Sequence, residues 1–175
     1  HRAEKEDPML DDLTLRKAVE FAVKTEEAGA IFYNKLARRF ENNTALCAIF
    51  SEFAAQEEHH RAQFEGLLAK VPQEPALKSQ KERLAVLRAM SMSEFFLGEA
   101  GLFKKLDEIK TPVDALQRAF RLEKDTLSYY LQMKELLGES DLLNAIIRAE
   151  QRHVLDLMDR LIIEGDPSIL ESEGM

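Results

Sequence analysis

Glu57-Glu58-His59-His60 and Glu150-Gln151-Arg152-His153 are two copies of Glu-x-x-His, and each follows a Glu-x6-Tyr segment, Glu26 to Tyr33 and Glu123 to Tyr130. Residues three or four apart share a helix face, and residues seven apart return to it after two turns. Glu57 therefore points with His60, Glu150 with His153, Glu26 with Tyr33 and Glu123 with Tyr130. The flanking apolar residues show which face this is. The first segment reads Val19, Ala22, Val23, then Glu26, then Ala30, Tyr33, Ala37, Phe40; the second reads Leu46, Phe50, Phe53, then Glu57 and His60, then Phe64, Leu67. The third reads Leu116, Ala119, Phe120, Glu123, Leu127, Tyr130, Leu137, and the fourth Leu143, Ile146, Ile147, Glu150, His153, Leu157, Leu161. In all four segments an ionisable group interrupts an apolar helical stripe at its middle.

A single Glu or His in a helix is ordinarily solvated or hydrogen-bonded at the surface. His1, His59, Glu27, Glu52 and Glu58, which lie on no stripe, are read in that way. The six on the stripes are different, because an unpaired carboxylate in a core must neutralise or find a counter-charge. Two divalent cations supply four positive charges against four glutamates, and two imidazoles bind as neutral ligands. A glutamate from each of two helices plus a Glu-x-x-His from each of two others is a ligand set for a di-metal carboxylate bundle. The candidate metal ligands are Glu26, Glu57, His60, Glu123, Glu150 and His153. Mixed carboxylate and imidazole donors suit two iron ions, with manganese or zinc as substitutes, better than soft copper. Tyr33 and Tyr130 carry hydroxyls that need partners when buried, and they are expected to hydrogen-bond to ligating carboxylates. With Glu57 and Glu150 they are the residues expected to carry the chemistry.

The chain of 175 residues suits one domain, 1–175, and its seven Gly and five Pro leave room for long helices. A net charge of −8 argues against nucleic acid as a partner, since phosphate binding needs clustered Lys and Arg. Cys47 stands alone, which excludes a disulfide framework or a four-cysteine metal site, and it reads as a small core residue. With no apolar run near about eighteen residues and no signal-peptide pattern, a soluble cytoplasmic protein with no membrane partner is expected. His1 to Pro8 is polar and precedes Met9, a candidate natural start; residues 1–11 are expected to be flexible and 166–175 to form a frayed acidic tail.

The first helix is expected from Asp12 or Thr14 to about Glu41, with Asn42-Asn43 breaking it. Thr44 is expected to cap the second, which ends before Val71-Pro72. Thr111-Pro112-Val113-Asp114 opens the third, Gly138 ends it, and Ser140 caps the fourth, which runs to about Gly165. The connection 71–111 has helical character at 76–90 and 93–110 and is long enough to cross the molecule, so the second and third helices can lie parallel. Within it Phe95, Phe96, Leu97, Leu102, Phe103 and Leu106 are expected to pack over the bundle, with Glu94 and Glu99 in solvent. A shift of 97 residues superposes Glu26 on Glu123 and Tyr33 on Tyr130, and a shift of 93 superposes Glu57 on Glu150 and His60 on His153. The fold expected is all-α: a four-helix bundle with left-handed packing, a long crossover between its second and third helices, and an internal two-fold repeat.

Four stretches, Thr25 to Tyr33, Phe50 to His60, Leu122 to Asp125 with Tyr129-Tyr130, and Ala149 to His153, resemble the rubrerythrin branch of the ferritin-like superfamily. The likeness spans about residues 14–164. It implies a ferritin-like bundle and a di-iron centre in which Glu57 and Glu150 bridge, Glu26 and Glu123 are terminal ligands, and His60 and His153 bind one iron each. It implies reduction of hydrogen peroxide or O2, an oxidative-stress activity, with ferroxidase-like iron oxidation and storage as the alternative. Two departures stand out. Full rubrerythrins add a rubredoxin domain with four cysteines, so electrons are expected here from an external donor, a rubredoxin-like protein or a reductase. Rubrerythrins also place an extra glutamate one turn after the third-helix ligand, where this chain has Thr126; the site then looks more symmetrical, closer to the ferroxidase centre of bacterioferritin. A homodimer is expected, because the long crossover is atypical of ferritin cages. A bundle with a vestigial site, folding indifferently to metal, is the third reading.

Overall fold

The computed structural model describes residues 14–71, 73, 79, 106–138 and 140–164. Among them are four long helices, α1 Leu15–Arg39, α2 Thr44–Leu68, α3 Pro112–Leu137 and α4 Asp141–Ile163, with a short 3-10 turn at Leu106–Glu108 and no strand. The expectations for 1–11, for the helices at 76–90 and 93–110, for Phe95, Phe96, Leu97, Leu102 and Phe103, for Glu94 and Glu99, and for the tail 166–175 lie wholly or largely outside the described residues.

Each helix begins where a side chain satisfies an otherwise orphaned backbone N–H. Thr14 accepts from Lys17 N at 3.1 Å, and Ser140 from Leu143 N at 3.3 Å. Thr111 and Asp114 form a reciprocal capping box, with Pro112 in the first turn. At α2 the cap is Asn43, whose Oδ1 accepts from Leu46 N at 3.2 Å, and Thr44 becomes the first helical residue. That corrects the expected cap by one position: Asn caps at least as well as Thr, and the turn leaving α1 puts Asn43 in extended backbone. For the same reason α1 stops at Arg39, short of Glu41. Gly138 takes φ +76 after α3, the left-handed backbone that a side chain disfavours.

The direction of the helices follows from which residues meet. Tyr33 reaches Glu123 while Tyr130 reaches Glu26, so α1 and α3 are antiparallel. His60 lies beside Glu150 and His153 beside Gln56, so α2 and α4 are antiparallel as well. Arg16 near the start of α1 donates to Leu68 O at 3.3 Å and Val71 O at 3.4 Å, covering carbonyls at the end of α2. α2 and α3 therefore point the same way.

The core divides into two apolar layers. One holds Phe32, Tyr33, Leu36, Leu46, Phe50, Phe53, Leu116, Ala119, Leu157 and Leu161, joined by Leu106 and Ile109 from the turn before α3. Arg39 fastens that turn by donating to Leu106 O at 2.8 Å. The other layer holds Val19, Ala22, Phe64, Tyr129, Tyr130, Met133, Leu143 and Ile146. Each large side chain so buried contributes about 1.5–3 kcal/mol. Between the layers, at mid-height, lie the ionisable residues that interrupt the four stripes.

Candidate metal centre

Glu26, Glu57, His60, Glu123, Glu150 and His153 are all buried, the most exposed being His60 at 5%. They fall into two groups of four. Glu26, Glu57, His60 and Glu150 each bring one donor atom within 4.8 Å of the others, and so do Glu57, Glu123, Glu150 and His153. Glu57 and Glu150 belong to both. His60 Nδ1 is 2.8 Å from Glu150 Oε1 and 3.4 Å from Glu26 Oε2. His153 Nδ1 is 3.3 Å from Glu123 Oε2, 3.5 Å from Glu57 Oε1 and 3.6 Å from Glu150 Oε2. The arrangement repeats the sequence shift: each histidine faces the shared glutamate of the opposite half.

The tyrosines repeat it too. Tyr33 donates its hydroxyl to Glu123 Oε1, and Tyr130 donates to Glu26 Oε1. Each helix of this pair thus braces the carboxylate of the other. Tyr129, quoted in the sequence without a role, donates instead to Ala18 O. His59, Glu27, Glu52 and Glu58 are exposed, in keeping with their lying on no stripe.

Burial sets the protonation of the group. It pushes both tyrosine hydroxyls well above their ordinary range, and the neighbouring carboxylates push further, so each phenol keeps its proton and acts as a donor. Glu57 is raised well above a normal carboxyl, first by burial and then by Glu26, Glu150 and Glu123. Glu123 rises to about 7 through burial, partly offset by His153. Burial would raise Glu150 as well, but His153 and His60 outweigh it and hold that carboxyl low. Burial disfavours charge on the imidazoles, yet the carboxylates win: Glu150 and Glu26 bring His60 to about 9, and Glu123 and Glu150 bring His153 to about 11. Without metal, protons hold the cluster together.

Protons satisfy it poorly. Glu26 Oε2, Glu57 Oε1, His60 Nδ1 and both oxygens of Glu150 are buried without an aligned hydrogen bond; even the 2.8 Å approach of His60 to Glu150 is misdirected. These atoms point toward shared space rather than at one another. Buried acceptors left in this state are costly, and cations removes the cost by accepting all of their lone pairs at once. Three carboxylates and one imidazole in each group, with two carboxylates shared, fit a pair of divalent ions.

Two residues important to this geometry escaped the stripe reading. A Cβ at Gly29 would lie 2.6 Å from Glu57 Oε2, so the bare backbone of α1 makes room for that carboxylate. Gln56 accepts a hydrogen bond from His153 Nε2 at 2.6 Å. Gly29 does follow Glu26 by three positions, on the same face, which was the available signal. Gln56 lies beside a ligand in sequence but points across to another helix, and nothing within α2 signals that.

A four-helix bundle whose middle layer gathers four carboxylates and two imidazoles defines a class, the ferritin-like bundles able to hold a metal pair. Within that class, residues 17–94 match the sequence model of the rubrerythrin family, a span covering α1 from its third residue, all of α2 and the stretch beyond. No curated protein and no solved structure matches the chain. Among the described residues, no helix is long and apolar enough to cross a membrane.

Proposed function

We propose that this protein is a non-haem di-iron oxidoreductase of rubrerythrin type, reducing hydrogen peroxide or O2 with electrons from an external donor protein. The observation that carries the reading is the pair of four-residue groups sharing Glu57 and Glu150. On this reading Glu57 and Glu150, which belong to both groups, would be shared between two ions, Glu26 and His60 would hold one of them and Glu123 and His153 the other, and manganese or zinc could substitute for iron. Two ferrous ions, when bound, supply two electrons together, the number needed to take peroxide to water.

The protein's own part is to bind, orient and exclude water. Tyr33 and Tyr130 donate to the terminal carboxylates and fix which oxygen remains for metal. The apolar layers above and below keep water from the cluster. Phe53, stacked on the His153 ring at 4.3 Å, also lines a cleft between α2 and α4, so a small oxidant in that cleft is one ring away from the centre.

Thr126 favours a second reading. It is buried where a seventh carboxylate ligand would enlarge the set, which leaves six ligands in symmetrical halves and suits a ferroxidase that oxidises and passes on iron. Anaerobic protein carrying two ferrous ions per chain, mixed rapidly with peroxide and separately with O2, decides between them. Much faster oxidation by peroxide is the expected result, and Glu57→Ala or Glu150→Ala should abolish it. Retained peroxide-dependent oxidation in either variant would refute the assignment. Preference for O2, with uptake continuing beyond two irons per chain, would establish the ferroxidase reading. A homodimer, read from solution mass, accompanies the first reading and a cage the second.

A further inference from the structure

We propose that Gln56 is a positioning residue that makes the two halves of the centre unequal, so that the half built on His153 takes the first metal ion. This rests on reading the cluster as a two-metal site. The hydrogen bonds around Gln56 orient it without ambiguity. Its amide N–H donates to Glu52 Oε1 at 3.1 Å, and a carboxylate can only accept, so the amide nitrogen faces Glu52 and the amide oxygen faces His153. That oxygen can only accept in turn. One hydrogen on His153 must therefore sit on Nε2, 2.6 Å away, which turns Nδ1, the nitrogen that would exchange its proton for a metal, toward Glu57, Glu123 and Glu150. The Phe53 ring, nearly parallel at 25° and 4.3 Å, fixes the plane of the imidazole.

Among the described residues, the other half has no such support. His60 also turns Nδ1 toward the cluster, but among the described residues no hydrogen bond reaches its Nε2. The shift of 93 residues that relates the two Glu-x-x-His motifs puts Ala149 in the place of Gln56, and alanine has no group to offer. Among the described residues, the rings near His60 are His59 and His153, at 6.5 Å and 6.0 Å, both tilted rather than stacked. A ligand ring already locked in tautomer and orientation loses less freedom on binding, and a hydrogen bond to its far nitrogen strengthens it as a donor. Losing such a partner costs roughly 10- to 100-fold in metal affinity, and the two halves should differ by about that factor.

The experiment is a calorimetric titration of the full chain with Zn2+, repeated with Co2+ and read by its visible absorption. Wild type should bind two ions in two steps separated by roughly 10- to 100-fold. His153→Ala should remove the tighter step and His60→Ala the weaker. Gln56→Leu, with Gln56→Ala as a second variant, should weaken the tighter step until the two merge, whereas Gln56→Glu, which keeps an acceptor, should preserve the order. In Zn2+-loaded protein, nitrogen–proton correlation spectra should show His153 bound through Nδ1 with a slowly exchanging Nε2 proton that Gln56→Leu exposes. Two indistinguishable steps in wild type, or an unchanged tighter step in Gln56→Leu, would overturn the inequality and leave the two-metal site standing. Failure of wild type to bind either ion would overturn the two-metal reading and this inference with it.

Discussion

Gly29 illustrates how a residue with no side chain can shape a site. It lies in the middle of α1, where alanine would favour the helix by about 1 kcal/mol. Its added methyl would overlap the end of the Glu57 side chain at 2.6 Å, and that end is flexible enough to swing aside. Gly29→Ala should therefore have opposite effects on two measurements. Without metal, the melting temperature should stay level or rise. Metal affinity should fall by roughly 10- to 100-fold, the usual cost of disturbing a ligand's support, because Glu57 could no longer lie where both groups need it. Unchanged affinity would show that Glu57 reaches the same position by another rotamer. The repeat puts Thr126 at the position equivalent to Gly29, so the two shared carboxylates have different neighbours on α1 and α3.

At the scale of elements, the stiffest local signal is the start of α3. Thr111 accepts from Asp114 N at 3.1 Å, and Asp114 Oδ2 accepts from Thr111 N at 3.0 Å and Lys110 N at 3.3 Å. This cap sets where the helix begins, three turns before Glu123. Thr111→Ala should cost about 1 kcal/mol and lower the melting temperature by roughly 2–4 °C. Because packing of Leu116 and Ala119 holds the helix phase independently, metal stoichiometry should not change. A loss of stoichiometry in that variant would mean that the cap, rather than the core, sets the register of α3.

The whole molecule balances two apolar layers against one charged layer. Without metal the folded state binds more protons than the unfolded chain: His60 titrates at about 9 and His153 at about 11 against an ordinary 6.5, and Glu123 at about 7 against 4.5, with Glu57 raised as well. Stability gained from protonated imidazoles is complete below their unfolded value and is lost as pH rises through the folded values. The raised carboxyls act in the same direction, since ionising them in the core costs more than ionising them in the unfolded chain. Glu150 opposes this, but its contribution is lost only as pH falls below the ordinary carboxylate range. The metal-free protein should thus melt at a higher temperature near about pH 6 than near about pH 9. Divalent metal replaces those protons and should reverse the trend, since its affinity rises as the imidazoles deprotonate. Melting curves of metal-free and Zn2+-loaded protein across this range test both halves of the statement, and a metal-free melting temperature that rose with pH would contradict it.

Local periodicity was enough to find the four helices and the six ionisable residues that interrupt their apolar faces, because helix phase decides which side chains point inward and phase is written in three- and four-residue spacings. The sequence also held the two-fold repeat, the caps at Thr111 and Ser140 and the two inward tyrosines, while for α1 it left Asp12 and Thr14 as alternatives, of which Thr14 is the cap. It placed the cap of α2 one residue late, since Asn43 and Thr44 are both good caps and only the turn out of α1 chooses between them. Tertiary structure alone decided the rest: that Glu57 and Glu150 stand in both groups of four, that Tyr33 and Tyr130 brace each other's helix, that Glu57 leans on Gly29, and that Gln56 holds His153. Each of these depends on how far one helix slides along another. Spacing within a helix fixes the face a residue occupies and carries no information about the height at which that face meets its neighbour; the packing of Phe50, Phe53, Phe64 and the tyrosines between the helices sets that height.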